Sequence, residues 1–287
     1  NFIFVKIDNN MIEATTPDRI KDYVLNYLMG QASIDPYEVM ASSTKMFKDD
    51  YLNLIDKADI SFYEDSIDRG VIYFQNGAAQ IKTSIKPRKE QLESGGELID
   101  SDKETTIELI DYLNLNGYVW KKHIINRNYE AIDFAGCVFD RFISCIAGNK
   151  VEKILAIKCT LGYLMHSFKT SANNKAVILN DETISDNPNG GSGKGLFCFA
   201  LAQMKRVAIL DGKTFDASKS FAYQTVGADT QILVYDDVPK NFAFENLFSV
   251  VTEGITLEKK NKDAIKLPVG KSPKIVINTN YTLGGVG

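Results

Sequence analysis

Cysteine and histidine are scarce in this sequence, and their spacing argues against the usual metal sites. There are four cysteines and two histidines among 287 residues, with no CxxC pair and no other metal-ligand spacing. A structural zinc site and a disulfide scaffold are therefore not expected. We predict that the cysteines are reduced core residues, as suits a cytoplasmic protein: Cys137, Cys145, Cys159 and Cys198.

Long apolar runs and an excess of positive charge are also missing. No apolar segment approaches the roughly 20 residues needed to span a bilayer, and no signal peptide opens the chain, so we expect no membrane partner. The net charge of −4 does not favour nucleic-acid binding by the surface as a whole. Contact with nucleic acid would have to come from a local basic patch.

The first half of the chain mixes short helices and short strands. Thr16 starts a helix that ends at Gly30. Asn76-Gly77 lies between two strand-like runs and predicts a hairpin turn. The polar stretch from Lys89 to Thr106 is expected to be a long surface loop. This half is therefore predicted to be a smaller α+β and helical region.

Two helices and a change of composition follow. Phe134–Ile146 and Val151–Phe168 have the apolar period of consecutive helices. The sequence then becomes small and polar at Thr170–Asn174. We place a boundary there, between an N-terminal region, 1–170, and a second domain, 171–287.

The second domain has a different pattern of predicted secondary structure, in which short β-rich runs alternate with helical ones. The runs KAVILN, RVAILD, QILVYDD and PKIVINTN are apolar throughout, and helical segments separate them. Continuous apolar strands spaced by helices are typical of a parallel sheet that is covered on both faces. The predicted fold class is therefore α/β with a mostly parallel sheet.

A glycine cluster that ends in lysine, within SDNPNGGSGKGLFCFAL, has the composition of a phosphate-binding loop. Glycines let backbone N–H groups wrap anionic oxygens, and a lysine at a helix start adds positive charge. Pro188 and Gly195 depart from the GxxxxGK[ST] pattern, since Pro188 replaces a glycine and Gly195 lacks the Mg²⁺-binding hydroxyl. The candidate ATP-binding residues are Gly190, Gly191, Ser192, Gly193, Lys194 and Gly195.

Two later strands end in polar residues that would complete such a site. QILVYDD ends in Asp236-Asp237, and paired acids at a strand end can hold a nucleotide-bound Mg²⁺ and polarise the attacking water. We assign the metal to Asp236 and the water to Asp237. PKIVINTNY carries Asn280, whose amide can contact the γ-phosphate and the water. With Lys194, Asp237 and Asn280 are the catalytic candidates.

Lysines cluster between the acid pair and Asn280. GITLEKKNKDAIKLPVGKSPK is predicted to form two strands, Ile255–Glu258 and Ala264–Leu267, around a turn. Lysine binds a phosphate backbone as a point charge without reading sequence. The cluster comprises Lys259, Lys260, Lys262, Lys266, Lys271 and Lys274. The first three of these are our candidates for single-stranded DNA contacts.

The segments GGSGKG, ILVYDD, GITLEKKNKDAIKLP and PKIVINTNY together resemble the A, B, B-prime and C motifs of superfamily 3 helicases. The closest likeness is to the phage and poxvirus-type primase-helicases, and it covers Lys175 to Tyr281. The resemblance implies an AAA+-type P-loop core in 171–287 that uses ATP and Mg²⁺. It also implies that ATP hydrolysis is coupled to DNA unwinding during replication.

The same resemblance implies partners. Such motors form homo-oligomers, usually hexameric rings around single-stranded DNA at a replication fork, and the B-prime lysines project into the channel. Residues 1–170 would be a collar for oligomerisation, and the same chain could carry a primase-polymerase module. A phage-encoded protein would work in the cytoplasm of a bacterial host.

An arginine finger is also implied by the resemblance, but the sequence offers no candidate. Arg206 is the only arginine after Arg141, and it precedes the strand VAILD, which is the wrong place. The chain starts at Asn1 rather than methionine and ends on TLGGVG soon after Tyr281. We expect the natural chain to continue, with the finger beyond Gly287.

Two other functions remain open from the sequence. A P-loop kinase of a small substrate would use the same loop, but it would need a lid with arginines. A nucleotide-binding replication scaffold that does not hydrolyse ATP would account for Pro188 and Gly195. ATP hydrolysis measured with and without single-stranded DNA separates the three functions.

Overall fold

A computed structural model describes residues 3–91, 97–132, 136–181, 190–259 and 262–281, with 84–91, 97–103, 259 and 262–263 described by their backbone alone. The chain folds as two compact units. Unit 1 is Asn1–Tyr63 with Tyr112–Lys121, and unit 2 is Glu64–Asp111 with Lys122–Gly287. The predicted boundary at Thr170–Asn174 falls inside unit 2.

The protein is mixed α/β, with a four-stranded parallel sheet and several antiparallel pairs. Among the described residues, no helix is both long and apolar enough to cross a membrane. In chain order the elements are β1 (Val5–Asp8), β2 (Met11–Ala14), α1 (Pro17–Gly30), α2 (Ile34–Ser42), α3 (Asp49–Leu52), β3 (Arg69–Phe74), β4 (Gly77–Gln91), β5 (Glu97–Ile110), β6 (Val119–Trp120), α4 (Val138–Ile146), α5 (Val151–Met165), β7 (Val177–Leu179), α6 (Lys194–Ala202), β8 (Val207–Asp211), β9 (Ile232–Val238), α7 (Phe248–Thr252), β10 (Ile255–Lys259), β11 (Lys262–Leu267) and β12 (Lys274–Thr279).

Unit 1 contains a small sheet and three helices. β1 and β2 pair antiparallel, and β6 joins β2 in parallel, with Ile12 of β2 fully buried. The first predicted helix is confirmed as α1. The Thr16 hydroxyl accepts a hydrogen bond from the backbone N–H of Arg19, and Pro17 occupies the first turn. A capping side chain followed by proline defines where a helix begins.

β3, β4 and β5 form an antiparallel sheet in unit 2. The predicted Asn76-Gly77 hairpin is confirmed by the pairing of β3 with β4. The prediction of a loop over Lys89–Thr106 is wrong, because the described residues of that stretch belong to β4 and β5. Threonine favours strands, and the Thr83 and Thr105 hydroxyls lie 3.5 Å apart across this pair. An exposed strand does not need the apolar pattern that the prediction relied on.

The two consecutive helices predicted before the boundary are α4 and α5. All four cysteines are free thiols, but the prediction that all are core residues is wrong. Cys198 is buried, whereas Cys145 and Cys159 are exposed and Cys137 is partly exposed. A helix with a single apolar stripe leaves its opposite face to solvent, and the exposed cysteines lie on such faces of α4 and α5.

A four-stranded parallel sheet in the order β7–β12–β9–β8 occupies the centre of unit 2, so the predicted parallel α/β sheet is confirmed. Alternate residues of each strand face opposite sides. Ile232 and Val234 pack against α5 and α6, while Leu233 and Tyr235 pack against α7 and the β10–β11 hairpin. Because both faces of the central strands β9 and β12 are buried, their polar residues are confined to the strand ends.

Ammonium groups are buried near the amino end of the same sheet. Lys169 donates to the Ser272 hydroxyl at 3.1 Å and to the Pro273 carbonyl oxygen at 2.8 Å. Burial, with a contribution from the nearby Lys274 charge, lowers the pKa of Lys169 to about 7. The charged form of this lysine is therefore disfavoured by folding.

Candidate functional site

The carboxyl ends of the parallel strands meet at one edge of the sheet, and polar residues concentrate there. Asp181 follows β7, Asp236-Asp237 lie at the end of β9, Asn280 follows β12, and β8 ends at Asp211. Open parallel sheets bind their ligands outside this edge. The structure therefore places the predicted acid pair and asparagine at the edge that the α/β fold uses for ligands.

The glycine loop has a left-handed backbone conformation at three of its glycines. Gly190, Gly191 and Gly193 have φ angles of 67°, 79° and 90°, a region that favours glycine. Gly193 caps α6, and a Cβ there would lie 3.1 Å from side-chain carbons of Phe142 and Ile146. The loop thus delivers the α6 N-terminus, with its partial positive charge, to the same region as Lys194.

The two departures from the usual loop pattern have different outcomes. Pro188 lies outside the described residues. Gly195 is in the first turn of α6, and nothing lies within 4 Å of where its Cβ would be. A serine or threonine would therefore fit, so the missing hydroxyl reflects the residue type and not a crowded site.

Lys194 has two close partners. Its ammonium donates to Oδ1 of Asp181 at 2.5 Å and to Oγ of Ser192 at 2.9 Å. The Lys194 and Asp181 side chains are 15% and 16% exposed. Burial raises the pKa of the Asp181 carboxyl, but the hydrogen bonds from Lys194 and Ser192 outweigh it and hold the pKa below its ordinary value. The candidate phosphate-binding lysine therefore has an internal anionic partner.

Asp236 is oriented by Asn278. Nδ2 of Asn278 donates to Oδ1 of Asp236 at 2.7 Å, and it also lies 3.4 Å from Sγ of Cys198 on α6. Burial raises the pKa of the Cys198 thiol, so the sulfur is uncharged beside the carboxylate. These contacts connect the helix that follows the glycine loop to the strand that carries the acids.

Asp237 has different partners because the chain bulges between the two acids. Its φ of 55° is left-handed, and the β9–β12 register shifts so that Thr279 pairs with Val238. Oδ2 of Asp237 forms a 2.6 Å ion pair with Lys213. Oδ1 accepts a hydrogen bond from Nδ2 of Asn280 at 3.3 Å. Neighbouring carboxylates are thus held by separate groups.

A magnesium ion at this edge would depend on Asp236. Among the described residues, no group of three or more histidine, cysteine and acidic side chains could hold a metal alone. Mg²⁺, however, typically takes one or two carboxylates together with phosphate and water oxygens. Asp236 fits that role, since the described residues engage only its Oδ1. Oδ1 of Asn280 is also buried and accepts no hydrogen bond within the described part of the chain.

A cavity of about 490 Å³ adjoins the glycine loop. Its wall includes Ile146, Ile157 and Ile178 from α4, α5 and β7, and Ser192 and Lys194 also line it. Small-molecule sites commonly have this size and a mostly apolar lining with a few polar groups. The cavity thus continues the candidate site beyond the phosphate loop.

The lysine-rich segment contains the two predicted strands, present as antiparallel β10 and β11. Lys260 lies outside the described residues, as do the side chains of Lys259 and Lys262, so their DNA contacts stay predictions. Including Lys274 in the basic cluster was wrong. It starts the central strand β12, is buried, and has its ammonium 3.6 Å from the centre of the Tyr163 ring.

Three residues of this site were missed from the sequence: Asp181, Lys213 and Asn278. Each lies within two residues of the carboxyl end of a strand. Their position near the end of a strand is the only sequence signal for these residues, since none of the three belongs to a recognisable motif. Treating every polar residue near the end of a predicted strand as a site candidate would have included all three.

No protein-family model matches the chain, and no curated protein matches it either.

Proposed function

We propose that unit 2 binds and hydrolyses ATP with Mg²⁺ and is the motor part of a superfamily 3-type DNA helicase with an AAA+-type core. The observation that carries the proposal is one sheet edge that combines a glycine-capped helix with its lysine, an acid pair and an asparagine. β12 lies between the loop strand β7 and the acid strand β9. Asn280 is thereby placed against Asp237, where a terminal phosphate and a water need polar partners.

Phosphate binding falls to Lys194 and the N–H groups at the start of α6. Lys194 pairs with Asp181, and phosphate oxygens compete with that carboxylate for the same ammonium. Nucleotide binding is therefore an exchange of one anionic partner for another. The strength of the Lys194–Asp181 pair sets part of the ATP affinity.

Asp236 is the proposed ligand of the metal, and Asn278 holds its carboxylate in place by a hydrogen bond. Mg²⁺ in such sites neutralises charge on the β- and γ-phosphates. Because Gly195 supplies no hydroxyl, Asp236 and water molecules would hold the Mg²⁺ without the serine or threonine ligand of the usual loop.

Asp237 and Asn280 bind and orient the attacking water. Asp237 orients the water and accepts its proton as general base. The Oδ1 of Asn280, which has no hydrogen-bond partner among the described residues, accepts a second hydrogen bond from the water. An asparagine amide also retains a donor for the γ-phosphate. The bulge at Asp237 therefore separates the water-binding acid from the metal-binding one.

The nucleoside occupies the cavity beside the glycine loop. Its volume of about 490 Å³ accommodates a base and a ribose, and Ile157 and Ile178 offer apolar contact to the base. Polar Lys153 and Asn180 also line the cavity and can meet the edges of the base or the ribose hydroxyls.

DNA binding falls to the β10–β11 hairpin, through Lys259, Lys260 and Lys262. In a hexameric ring these lysines contact the backbone of single-stranded DNA and move with each ATP cycle. The part of residues 1–170 that precedes α4 forms the collar, and a primase-polymerase module acts with the motor at the replication fork. This part of the proposal is supported by the sequence resemblance.

A nucleotide-binding scaffold without turnover is the second candidate. It is favoured by Gly195 and by the engagement of both Lys194 and Asp237 in ion pairs. A small-substrate kinase has less support, because Arg206, the only arginine after Arg141, pairs with Asp229 instead of serving a lid.

ATP binding and hydrolysis by the 287-residue chain, with and without single-stranded DNA, test the proposal. Lys194→Ala is compared with Lys219→Ala, a control at an exposed lysine of the same unit. We expect DNA-stimulated hydrolysis in the wild type and the control, and neither tight binding nor turnover in Lys194→Ala. Binding without turnover in the wild type would support the scaffold, and DNA-independent transfer to a small acceptor would support the kinase.

A further inference from the structure

Lys213 lies in a turn that is tied to the acid strand. The Asp211 carboxylate accepts hydrogen bonds from the backbone N–H of Lys213 at 3.0 Å and from the Thr214 hydroxyl at 2.9 Å. Aspartate closes turns in this way. Asp211 itself pairs in register with Asp236, so the turn is level with the acid pair.

Gly212 brings this turn into direct contact with β9. Its N–H donates to the carbonyl oxygen of Asp236 at 2.6 Å. A Cβ on Gly212 would lie 2.5 Å from Cγ1 of Val238 and 2.6 Å from the same carbonyl oxygen, so a side chain would displace the backbone. The backbone before Lys213 is therefore fixed, and the lysine starts from a defined position.

The Lys213 ammonium lies 2.6 Å from Oδ2 of Asp237. The hydrogen bond and the charge of Asp237 raise the pKa of Lys213, so the ammonium is charged at neutral pH. Its side chain is 64% exposed, and an ammonium has three donors. Donors therefore remain for a ligand at the carboxyl edge of the sheet.

Stability alone does not explain this arrangement. Exposed ion pairs contribute little to stability, whereas the left-handed backbone of Asp237 carries conformational strain. Backbone strain of this kind concentrates at functional sites. Lys213 follows β8, which pairs directly with the acid strand β9, so its ammonium reaches the acid pair from a neighbouring strand.

We propose that Lys213 is a further catalytic residue, which bridges Asp237 and an oxygen of the terminal phosphate of a nucleoside triphosphate. This inference rests on the proposed function. Lys213 stabilises negative charge that grows on that phosphate in the transition state. Because a diphosphate lacks the terminal group, Lys213 acts on turnover and leaves diphosphate binding unchanged.

Steady-state hydrolysis by the 287-residue chain tests the role, with ATP and ADP dissociation constants and melting temperature measured in parallel. Lys213→Ala should lower kcat by about 10²–10³-fold, the usual effect of removing one charge-stabilising donor. KM and the ADP dissociation constant should change by less than about threefold. Lys213→Arg should recover part of kcat through its charge, and Lys219→Ala should match the wild type.

The outcomes separate this inference from the proposed function. Equal kcat in the wild type and Lys213→Ala would overturn the role of Lys213 and leave ATP hydrolysis standing. A lower melting temperature with kcat and KM intact would show a structural ion pair and would also overturn it. A wild-type protein that binds ATP without hydrolysing it would remove both proposals together.

Discussion

Replacing Asp181 with asparagine should strengthen ATP binding and lower the melting temperature of the protein measured without nucleotide. The carboxylate and the phosphates compete for one ammonium, that of Lys194. Asparagine still accepts a hydrogen bond but carries no charge, so it is the weaker competitor. The substitution therefore shifts Lys194 toward phosphate without altering the loop.

The size of the effect follows from the contact between Lys194 and Asp181. The ammonium and carboxylate are 2.5 Å apart, and the two side chains are 15% and 16% exposed. Hydrogen bonds to charged groups contribute about 1.5–3 kcal/mol, and each 1.4 kcal/mol is a factor of about ten in a dissociation constant. Because asparagine keeps a neutral hydrogen bond, we expect ATP to bind roughly tenfold more tightly.

The assay is a titration with ATP together with thermal melts at several pH values. Asp216→Asn is the control, since the Asp216 carboxylate accepts solvent-exposed hydrogen bonds from the N–H and hydroxyl of nearby Ser218. The pKa of Asp181 lies below its ordinary value, so its stabilising effect is present above pH ~4 and is lost as the pH falls through the folded-state pKa. The melting difference should therefore vanish in acid. ATP binding that is unchanged or weaker in Asp181→Asn would refute the competition.

Three further predictions follow. Asp237→Asn should bind ATP without hydrolysing it, whereas Asp236→Asn should lose Mg²⁺-dependent binding; the reverse pattern would exchange the two roles. Joint replacement of Lys260 and Lys262 by alanine should reduce the log–log salt slope of single-stranded DNA binding by roughly 1.4, at about 0.7 per phosphate contact, and an unchanged slope would place the DNA elsewhere. Burial lowers the pKa of Lys169 to about 7, so the folded state binds fewer protons than the unfolded state and gains stability as pH rises from about 7 to 10. In urea unfolding at pH 8 and 9, Lys169→Met should reduce that gain by about 1 kcal/mol per pH unit, and equal slopes would contradict it.

Structural features that are determined by the local sequence could be predicted. The apolar strands, the glycine turn before α6 and the position of Asp236-Asp237 at a strand end all follow from local pattern and residue type. Burial on both faces leaves a strand no polar residue until it ends. The polar edge of the sheet can therefore be located from the sequence.

Features that depend on neighbours in space could not be predicted. Nothing local indicates that β12 lies between β7 and β9 or that Lys213 reaches Asp237, because strand order is set by long-range pairing. The same limit explains the errors. Lys274 follows the polar pair Lys271-Ser272 in sequence but starts a central strand, and the described residues of Lys89–Thr106 gain their structure from cross-strand partners.

The left-handed conformation of Asp237 places thermal stability and chemistry in opposition at one position. Glycine would relieve the backbone strain there, at the loss of the carboxylate that the proposed reaction uses. A library at position 237 selected only for resistance to heat should therefore be enriched in glycine, while one selected for turnover should return aspartate. Directed evolution toward a more robust protein would have to find its gains elsewhere in the fold.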